Sequence, residues 1–212
     1  MIGLIVGFGS IGKRHAKILN KLKIFDKLYV ITGQMLAKYL KKCNKINEIK
    51  KINPDYIVIA SETNKHFKHL KDINSRLNKK KILVEKPLYN KINTLNKINN
   101  NIFIGYNLRF HPVIQKVKKL IKEKKIYSIK SVCFSNLKHW RKNRNYSLTS
   151  SAKKKSGGVI LDLSHEFDFI SWMIGKLSYL DSIKRKNSDL KIYTEDYLSL
   201  NAVIKKKNSS TL

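Results

Sequence analysis

Gly7-Phe8-Gly9-Ser10-Ile11-Gly12-Lys13-Arg14-His15 is the stretch from which the fold can be read. Ahead of it runs Ile2-Gly3-Leu4-Ile5-Val6, short, apolar and rich in branched residues, the pattern of a buried parallel strand. Behind it Ile11, Ile18, Leu19 and Leu22 recur at helical spacing, which predicts one apolar stripe. A strand therefore ends, three glycines turn the chain and a helix begins, the context that a G-x-G-x-x-G turn requires. Gly7 allows the tight turn, Gly9 has no side chain to hold a pyrophosphate off the backbone, and Gly12 lets the helix pack close to the strand. Free N–H groups at the helix start favour phosphate charge. Arg14, one turn into the helix, can reach a phosphate or simply be solvated.

Bulk composition narrows the class. The 212 residues suffice for one large domain or two small ones, and a hydrophobic content of 42% is compatible with a core. The apolar runs are too short to span a membrane, so no membrane partner is expected. Residues 1–6 carry no basic leader and enter the first strand directly, so no signal peptide is expected and a cytoplasmic location follows. Cys43 and Cys133 match no metal or redox spacing, which predicts two free thiols and no metal site. The net charge of +31, from 45 Lys+Arg against 14 Asp+Glu, is spread as lysine through almost every segment. A nucleic-acid protein concentrates such charge on a face or in a tail. The spread therefore predicts no specific nucleic-acid partner, only attraction to polyanions at low salt.

Strand and helix signals alternate through the first half. Lys27–Ile31 reads as a second strand, whose end would face an adenosine ribose. There the chain offers Thr32-Gly33-Gln34, with neither the carboxylate that would mark NAD nor an arginine that would mark NADP. A short helix is expected over Gln34–Cys43 and another turn or two over Ile46–Ile52. Tyr56–Ala60, Lys81–Val84 and Ile102–Tyr106 read as further strands, with a helix from the cap Ser61-Glu62-Thr63-Asn64 to about Leu77. Asn90–Asn101 keeps a helical stripe at Ile92, Leu95 and Ile98. This alternation implies a doubly wound parallel α/β sheet, with ligands beyond the carboxyl ends of the strands. Gly9, Ser61, Lys86 and Asn107 all follow strand ends and should meet at one crevice.

The second half has another rhythm. Pro112 should start a helix with Val113, Val117, Leu120 and Ile121 on one face. Ile129–Phe134 reads as a strand, and Lys138–Ser156 as a polar, basic loop carrying Trp140, Arg141 and Tyr146. Gly157-Gly158 precedes a helix expected to run to about Ile174. Leu177–Lys186 and Asp196–Ile204 resemble strands without long helices between them, which predicts an antiparallel sheet in a second, α+β domain.

Two places could carry chemistry. Lys86 stands between a glutamate and a proline at a strand end, where the proline can fix the backbone through a cis bond. A lysine beside a positively charged nicotinamide can act as general acid or base; the alternative is one more solvated lysine. On the helix after Gly158, Leu163, Phe167, Ile170 and Ile174 fall on one side and Asp162, His165, Asp168 and Trp172 on the other. The second face is either functional or solvated with Asp162 as a cap, and a solvated face in this chain should be full of lysine.

Taken together, the chain resembles the glucose–fructose oxidoreductase, inositol dehydrogenase and rhizopine-catabolism (Gfo/Idh/MocA) family. The resemblance lies in Gly7–His15, in Ala60-Ser61-Glu62-Thr63-Asn64-Lys65-His66 and in Glu85-Lys86-Pro87. It continues in Gly105-Tyr106-Asn107-Leu108-Arg109-Phe110-His111-Pro112 and in Gly157–Asp168. The wording around Asn107 and His165 is most similar to members from surface-polysaccharide and sialic-acid-like sugar pathways. Two departures stand out. Glu62 occupies a position where the family usually has proline, and the family commonly spaces its aspartate and histidine one residue further apart than Asp162 and His165.

The resemblance implies a Rossmann domain over 1–108 and an open, mostly antiparallel substrate and oligomerisation domain from 109 to 212. It implies NAD or NADP as cofactor, held by Gly7, Phe8, Gly9, Ser10, Ile11, Gly12, Arg14, Thr32, Ser61, Thr63, His66, Glu85 and Lys86. It implies substrate contacts from Asn107, Arg109, Trp140, Arg141, Asp162 and His165. Lys86 and His165, with Asp162 assisting, would handle a proton while the nicotinamide handles hydride. The expected activity is an NAD(P)-dependent oxidoreductase acting on a sugar or sugar-derived alcohol or carbonyl, in a homo-oligomer formed through the second-domain sheet. The alternative is a non-catalytic dinucleotide-binding remnant or partner subunit of such an enzyme. The resemblance also implies longer chains, so a shortened member is expected, in which Lys205–Asn208 forms a turn and Ser209–Leu212 begins a further strand.

Overall fold

A computed structural model describes residues 1–140 and 145–204. The chain divides into two compact units, Met1–Gly105 and the remainder from Tyr106 onward.

The first unit opens with β1 (Ile2–Val6) and α1 (Ser10–Lys21), followed by β2 (Lys27–Ile31) and β3 (Leu40–Cys43). A short α2 (Ile49–Ile52) leads to β4 (Tyr56–Ile59), and α3 (His66–Arg76) leads to β5 (Lys81–Val84) and β6 (Asn101–Ile104). All six strands are parallel, in the order β3-β2-β1-β4-β5-β6. β1 lies at the centre because both its edges are paired: Ile5 is level with Val30 on one side and Val58 on the other. Side chains alternate across the sheet. Leu4, Val6, Ile57, Ile59, Ile82 and Val84 thus share one face with Ile49, Leu70 and Ile73. Ile5, Val30 and Val58 share the other with Ala16 and Leu19. Both faces are covered, which is why these strands are apolar throughout rather than alternating.

Three expectations for this unit fail. The apolar stripe of α1 does not pack as a whole: Ile11, Ile18 and Leu22 are 40%, 47% and 52% exposed, whereas Gly12, Ala16 and Leu19 are buried. The helix lies so close to the sheet that only small residues fit at its first contacts. The helix expected over Gln34–Cys43 is absent, and Leu40–Cys43 pairs with β2 instead. In that position Leu40 joins one core and Cys43 the other, a tertiary gain that overrides local propensity. No helix forms over Asn90–Asn101 either. Asparagine side chains there compete with the helical backbone. Asn74 Nδ2 donates to Lys97 O (2.7 Å), Asn74 Oδ1 accepts from Asn99 N (3.0 Å), and Asn100 Nδ2 donates to Leu77 O (2.8 Å).

The second unit contains α4 (Pro112–Lys122), α5 (Val159–Asp162), α6 (His165–Ile174) and the antiparallel pair β7 (Leu177–Arg185) and β8 (Tyr197–Ile204). His111 caps α4 by accepting from Val113 N, with Pro112 in the first turn where its missing N–H costs nothing. The helix expected to continue to Ile174 is broken at Leu163-Ser164, which resets the register between Asp162 and His165. Ile129–Phe134 is not a strand: among the described residues β7 and β8 pair only with each other, so that segment has no ladder to join. The stretch expected as a loop carries three short 3-10 turns, Leu137–His139, Tyr146–Leu148 and Ser150–Ala152. Arg141, Lys205–Asn208 and Ser209–Leu212 lie outside the described residues.

Candidate functional site: a glycine-turn cradle and a polar cluster

The first unit stitches its strand ends into one rim. Gly7 N donates to Ile31 O, Ala60 N to Val6 O, Glu85 N to Ile59 O and Gly105 N to Val84 O, each one step beyond the regular strands. Gly7, Ser61 and Lys86 therefore emerge side by side at the carboxyl edge. Gly7 adopts φ +95°, and a Cβ there would lie 2.6 Å from Ser61 Cα. A Cβ on Gly12 would lie 2.1 Å from Gly7 O, so turn and helix interlock through two missing side chains. Gly9 differs: it caps α1, and nothing lies within 4 Å of its Cβ position. That open space, before a helix start with no acidic residue in its first turn, fits a pyrophosphate on backbone N–H groups. Ser10, Ile11 and Arg14 are exposed beside it, while Phe8 is buried.

The rest of the rim is fixed by side chains. Ser61 Oγ is 2.9 Å from His69 Nδ1. His66, only 1% exposed, has Nε2 3.0 Å from Ser61 O and Nδ1 3.0 Å from Pro87 O. In this geometry His66 ties the loops after β4 and β5 together rather than offering its ring outward. Glu85 is likewise engaged: Oε1 lies 2.6 Å from His15 Nε2, and Oε2 accepts from Lys86 N at 3.3 Å. The Lys86–Pro87 peptide is cis. Thr32 Oγ1 accepts from Gln34 N at 3.1 Å, closing the turn after β2. Thr63 begins a 3-10 turn, and Glu62 pairs with Lys65 at 2.9 Å. Burial holds the His69 imidazole below its ordinary pKa, partly countered by Asp72.

This arrangement is a dinucleotide-binding domain of Rossmann type. Residues 3–101, just under half of the chain, match the Gfo/Idh/MocA family, described as an oxidoreductase family with an NAD-binding Rossmann fold, and the first unit is similar to that family. Among its relatives, the uncharacterized oxidoreductase YrbE of Bacillus subtilis is 25% identical over 190 residues, covering 81% of this chain and 53% of YrbE. The oxidoreductase YteT of the same organism is 22% identical over 140 residues, covering 58% and 30%. The WlbA dehydrogenase of Chromobacterium violaceum, solved with NADH and UDP-GlcNAcA, has the same fold at TM-score 0.79 and 14% identity, covering 97% of this chain and 64% of that one. WlbA of Bordetella pertussis, solved with the same two ligands, gives 0.76 and 16%, covering 94% and 66%. The chain thus spans about half or less of the curated relatives it matches. Among the described residues no helix is long and apolar enough to cross a membrane.

The second unit gathers its own cluster. Asn107 opens the turn Asn107–Phe110, in which Arg109 N donates to Tyr106 O at 3.3 Å. Arg109 grips Asp168 with both arms, Nε to Oδ2 at 2.8 Å and Nη2 to Oδ1 at 2.5 Å. Donating to the Asp168 carboxylate raises the guanidinium pKa further. The Tyr106 ring meets His165 edge to face, with centroids 5.8 Å apart. Lys118 Nζ sits 3.2 Å from the centre of the Trp172 ring, with the Arg109 guanidinium 5.8 Å from it.

Asp162 sits at the end of α5. It accepts from Ser151 Oγ at 3.3 Å and lines a cavity of about 700 Å³ with Trp140, Thr194 and Glu195. Trp140 Nε1 donates to Ser135 Oγ. Glu195, which carried no sequence signal, accepts from Val159 N through its backbone carbonyl (3.1 Å) and from Ile160 N through Oε1 (3.4 Å), at the start of α5. Leu163, Phe167, Ile170 and Ile174 line one groove, as their spacing implied. Lys86 belongs to the first unit, and Asp162 and His165 to the second.

Proposed function

We propose that the chain is an NAD(P)-dependent oxidoreductase acting on an alcohol or carbonyl of a sugar-type substrate. The observation that carries this reading is the cradle at Gly9: an open Cβ position at a helix N-terminus, beside a turn that tolerates no side chain at Gly7 or Gly12. When bound there, a nicotinamide supplies or accepts the hydride. Gly7, Gly9 and Gly12 admit the pyrophosphate, and Arg14 and Thr32 lie exposed and half-buried on the two flanks of the turn. Lys86 Nζ and His165 hold and move the proton that accompanies hydride, each worth typically 10²–10⁴-fold. Asp162, Trp140 and Asn107 contact substrate hydroxyls. A sugar nucleotide is the first substrate class to test, since the WlbA structures were solved with UDP-GlcNAcA. Assembly through the second-unit sheet is favoured by the exposed Tyr179, Leu180, Ile183 and Val203 of β7 and β8.

The test is direct. NADH and NADPH are titrated against protein fluorescence at moderate salt, then sugar nucleotides are screened for turnover. Saturable binding that Gly9→Asp abolishes supports the cradle, and turnover that Lys86→Ala and His165→Ala each lower about a hundredfold supports the proton roles. Unchanged affinity in Gly9→Asp would sink the cofactor assignment. A second reading is a dinucleotide-binding partner subunit, which needs only the glycine turn around Gly9. It predicts binding without turnover.

A further inference from the structure

We propose that Asp168 and Arg109 are positioning residues for His165, the fork between them clamping the turn Asn107–Phe110 onto α6 and thereby planting Tyr106 against the imidazole. The proposal rests on the reading that His165 handles the proton.

The geometry is a chain of three contacts within one unit. Asp168 lies one turn beyond His165 on α6, so the two side chains share a face. Its side chain is 8% exposed, and both its oxygens are taken by Arg109. A buried carboxylate gripped at two points by a planar guanidinium fixes direction as well as distance, which a single-point lysine cannot do. Arg109 is in turn held at its other end. Its backbone N–H bonds Tyr106 O, its carbonyl accepts from Gln115 Nε2 of α4, and its guanidinium lies over Trp172 of α6. Pulling Arg109 down onto Asp168 therefore pulls the turn down with it. Tyr106, immediately before that turn, then meets His165 at 79° between ring planes. Burial raises the Tyr106 phenol pKa, aided by the nearby Asp168 charge, so this wall stays neutral.

Arg109 thus has a task besides the substrate contact that the family resemblance implies. Two of its donors are spent inside the protein. Removing Asp168 releases the turn and shifts Tyr106 against the imidazole, although neither Asp168 nor Arg109 need touch a ligand for this.

The experiment reads His165 itself and needs neither cofactor nor turnover, so its outcome is separable from that of the proposed function. The whole chain is labelled with ¹³C-histidine, and its six histidine ring signals are recorded, His165 being assigned by its loss in His165→Gln. Asp168→Asn, Arg109→Met and Tyr106→Leu should each move the His165 signal in the same direction, with the signals of the first-unit histidines unchanged. The exchanged pair Arg109→Asp with Asp168→Arg should return it towards its original position. Should Asp168→Asn not fold, Arg109→Lys keeps the charge, loses the fork and should move the signal less. An unmoved His165 signal in any folded single variant overturns the clamp. So does movement in Asp168→Asn without movement in Arg109→Met, because Asp168 would then act on His165 alone.

Discussion

His15 Nε2 stands 2.6 Å from Glu85 Oε1, joining the second turn of α1 to the end of β5. The two residues are 70 apart in sequence, and their side chains are 19% and 20% exposed. The pair connects the helix that begins at the phosphate cradle to the residue just before Lys86.

Such a contact should outweigh an exposed one. A hydrogen bond to a charged group that is mostly shielded contributes about 1.5–3 kcal/mol, whereas exposed ion pairs contribute about 0–1 kcal/mol. His15→Ala should therefore lower the urea midpoint clearly. Glu62→Gln, which removes the Lys65 pair between side chains 38% and 54% exposed, should barely change it. Equal losses in the two variants would show that the His15 contact adds nothing.

The three glycines should separate stability from binding. Gly12→Ala places a methyl 2.1 Å from Gly7 O and should cost about 1–3 kcal/mol through forced displacement. Gly9→Asp meets nothing within 4 Å and adds an anion at a helix N-terminus, so its melting temperature should hold or rise. Its NADH affinity should nonetheless collapse. Calorimetry and fluorescence titration on the same samples would expose any variant in which the two readouts fall together at Gly9.

Acid sensitivity should trace in part to His69. Burial, its largest influence, depresses the folded-state pKa below the ordinary histidine value of about 6.5, with Asp72 opposing and His66, Lys65 and Lys68 reinforcing. The unfolded chain then binds the proton more readily, so stability is complete above about pH 6.5 and is lost as pH falls through the lower folded value. His69→Leu should flatten the fall in melting temperature between pH 7 and pH 5. A slope identical to the parent's would place that sensitivity elsewhere.

The two thiols should differ in reactivity. Burial and the neighbouring Glu48 raise Cys43 to about 11. At pH 8 only about one molecule in a thousand carries that thiolate, and the sulfur itself is buried. Cys133 is exposed. A thiol-specific reagent at pH 8 should titrate one group in the folded protein and two in denaturant. Peptide mapping should find the first label on Cys133.

How legible the chain was depended on the range of the interactions. β1, β2, β4 and β5 announce themselves because runs such as Leu4-Ile5-Val6 and Ile57-Val58-Ile59 must be apolar on both faces. The glycine turn is legible because each glycine answers a local steric demand at Gly7 or Gly12. Segments whose state depends on distant partners were misread. Leu40–Cys43 became a strand through β2, and Asn90–Asn101 lost its helix to Asn74. The site shows the same division. Lys86 and His165 stand in recognisable wording, but His15–Glu85 and Arg109–Asp168 link residues 70 and 59 apart, and nothing local marks them as pairs.

The placement of fully enclosed apolar side chains sets a gradient of kinetic protection along the polypeptide. Among the described residues, the buried hydrophobic side chains lie almost wholly before Gly105, and only Ala152 and Ile192 lie beyond it. Opening a segment exposes whatever it buries, so the free energy of a local opening follows that distribution. Backbone amides of β1, β4 and β5 should then exchange with solvent deuterium only through cooperative opening of the whole first unit. Amides of β7 and β8 should exchange through smaller and more frequent excursions. The cradle would be inherited from the slow half of the molecule, while the neighbourhood of His165 keeps the faster clock.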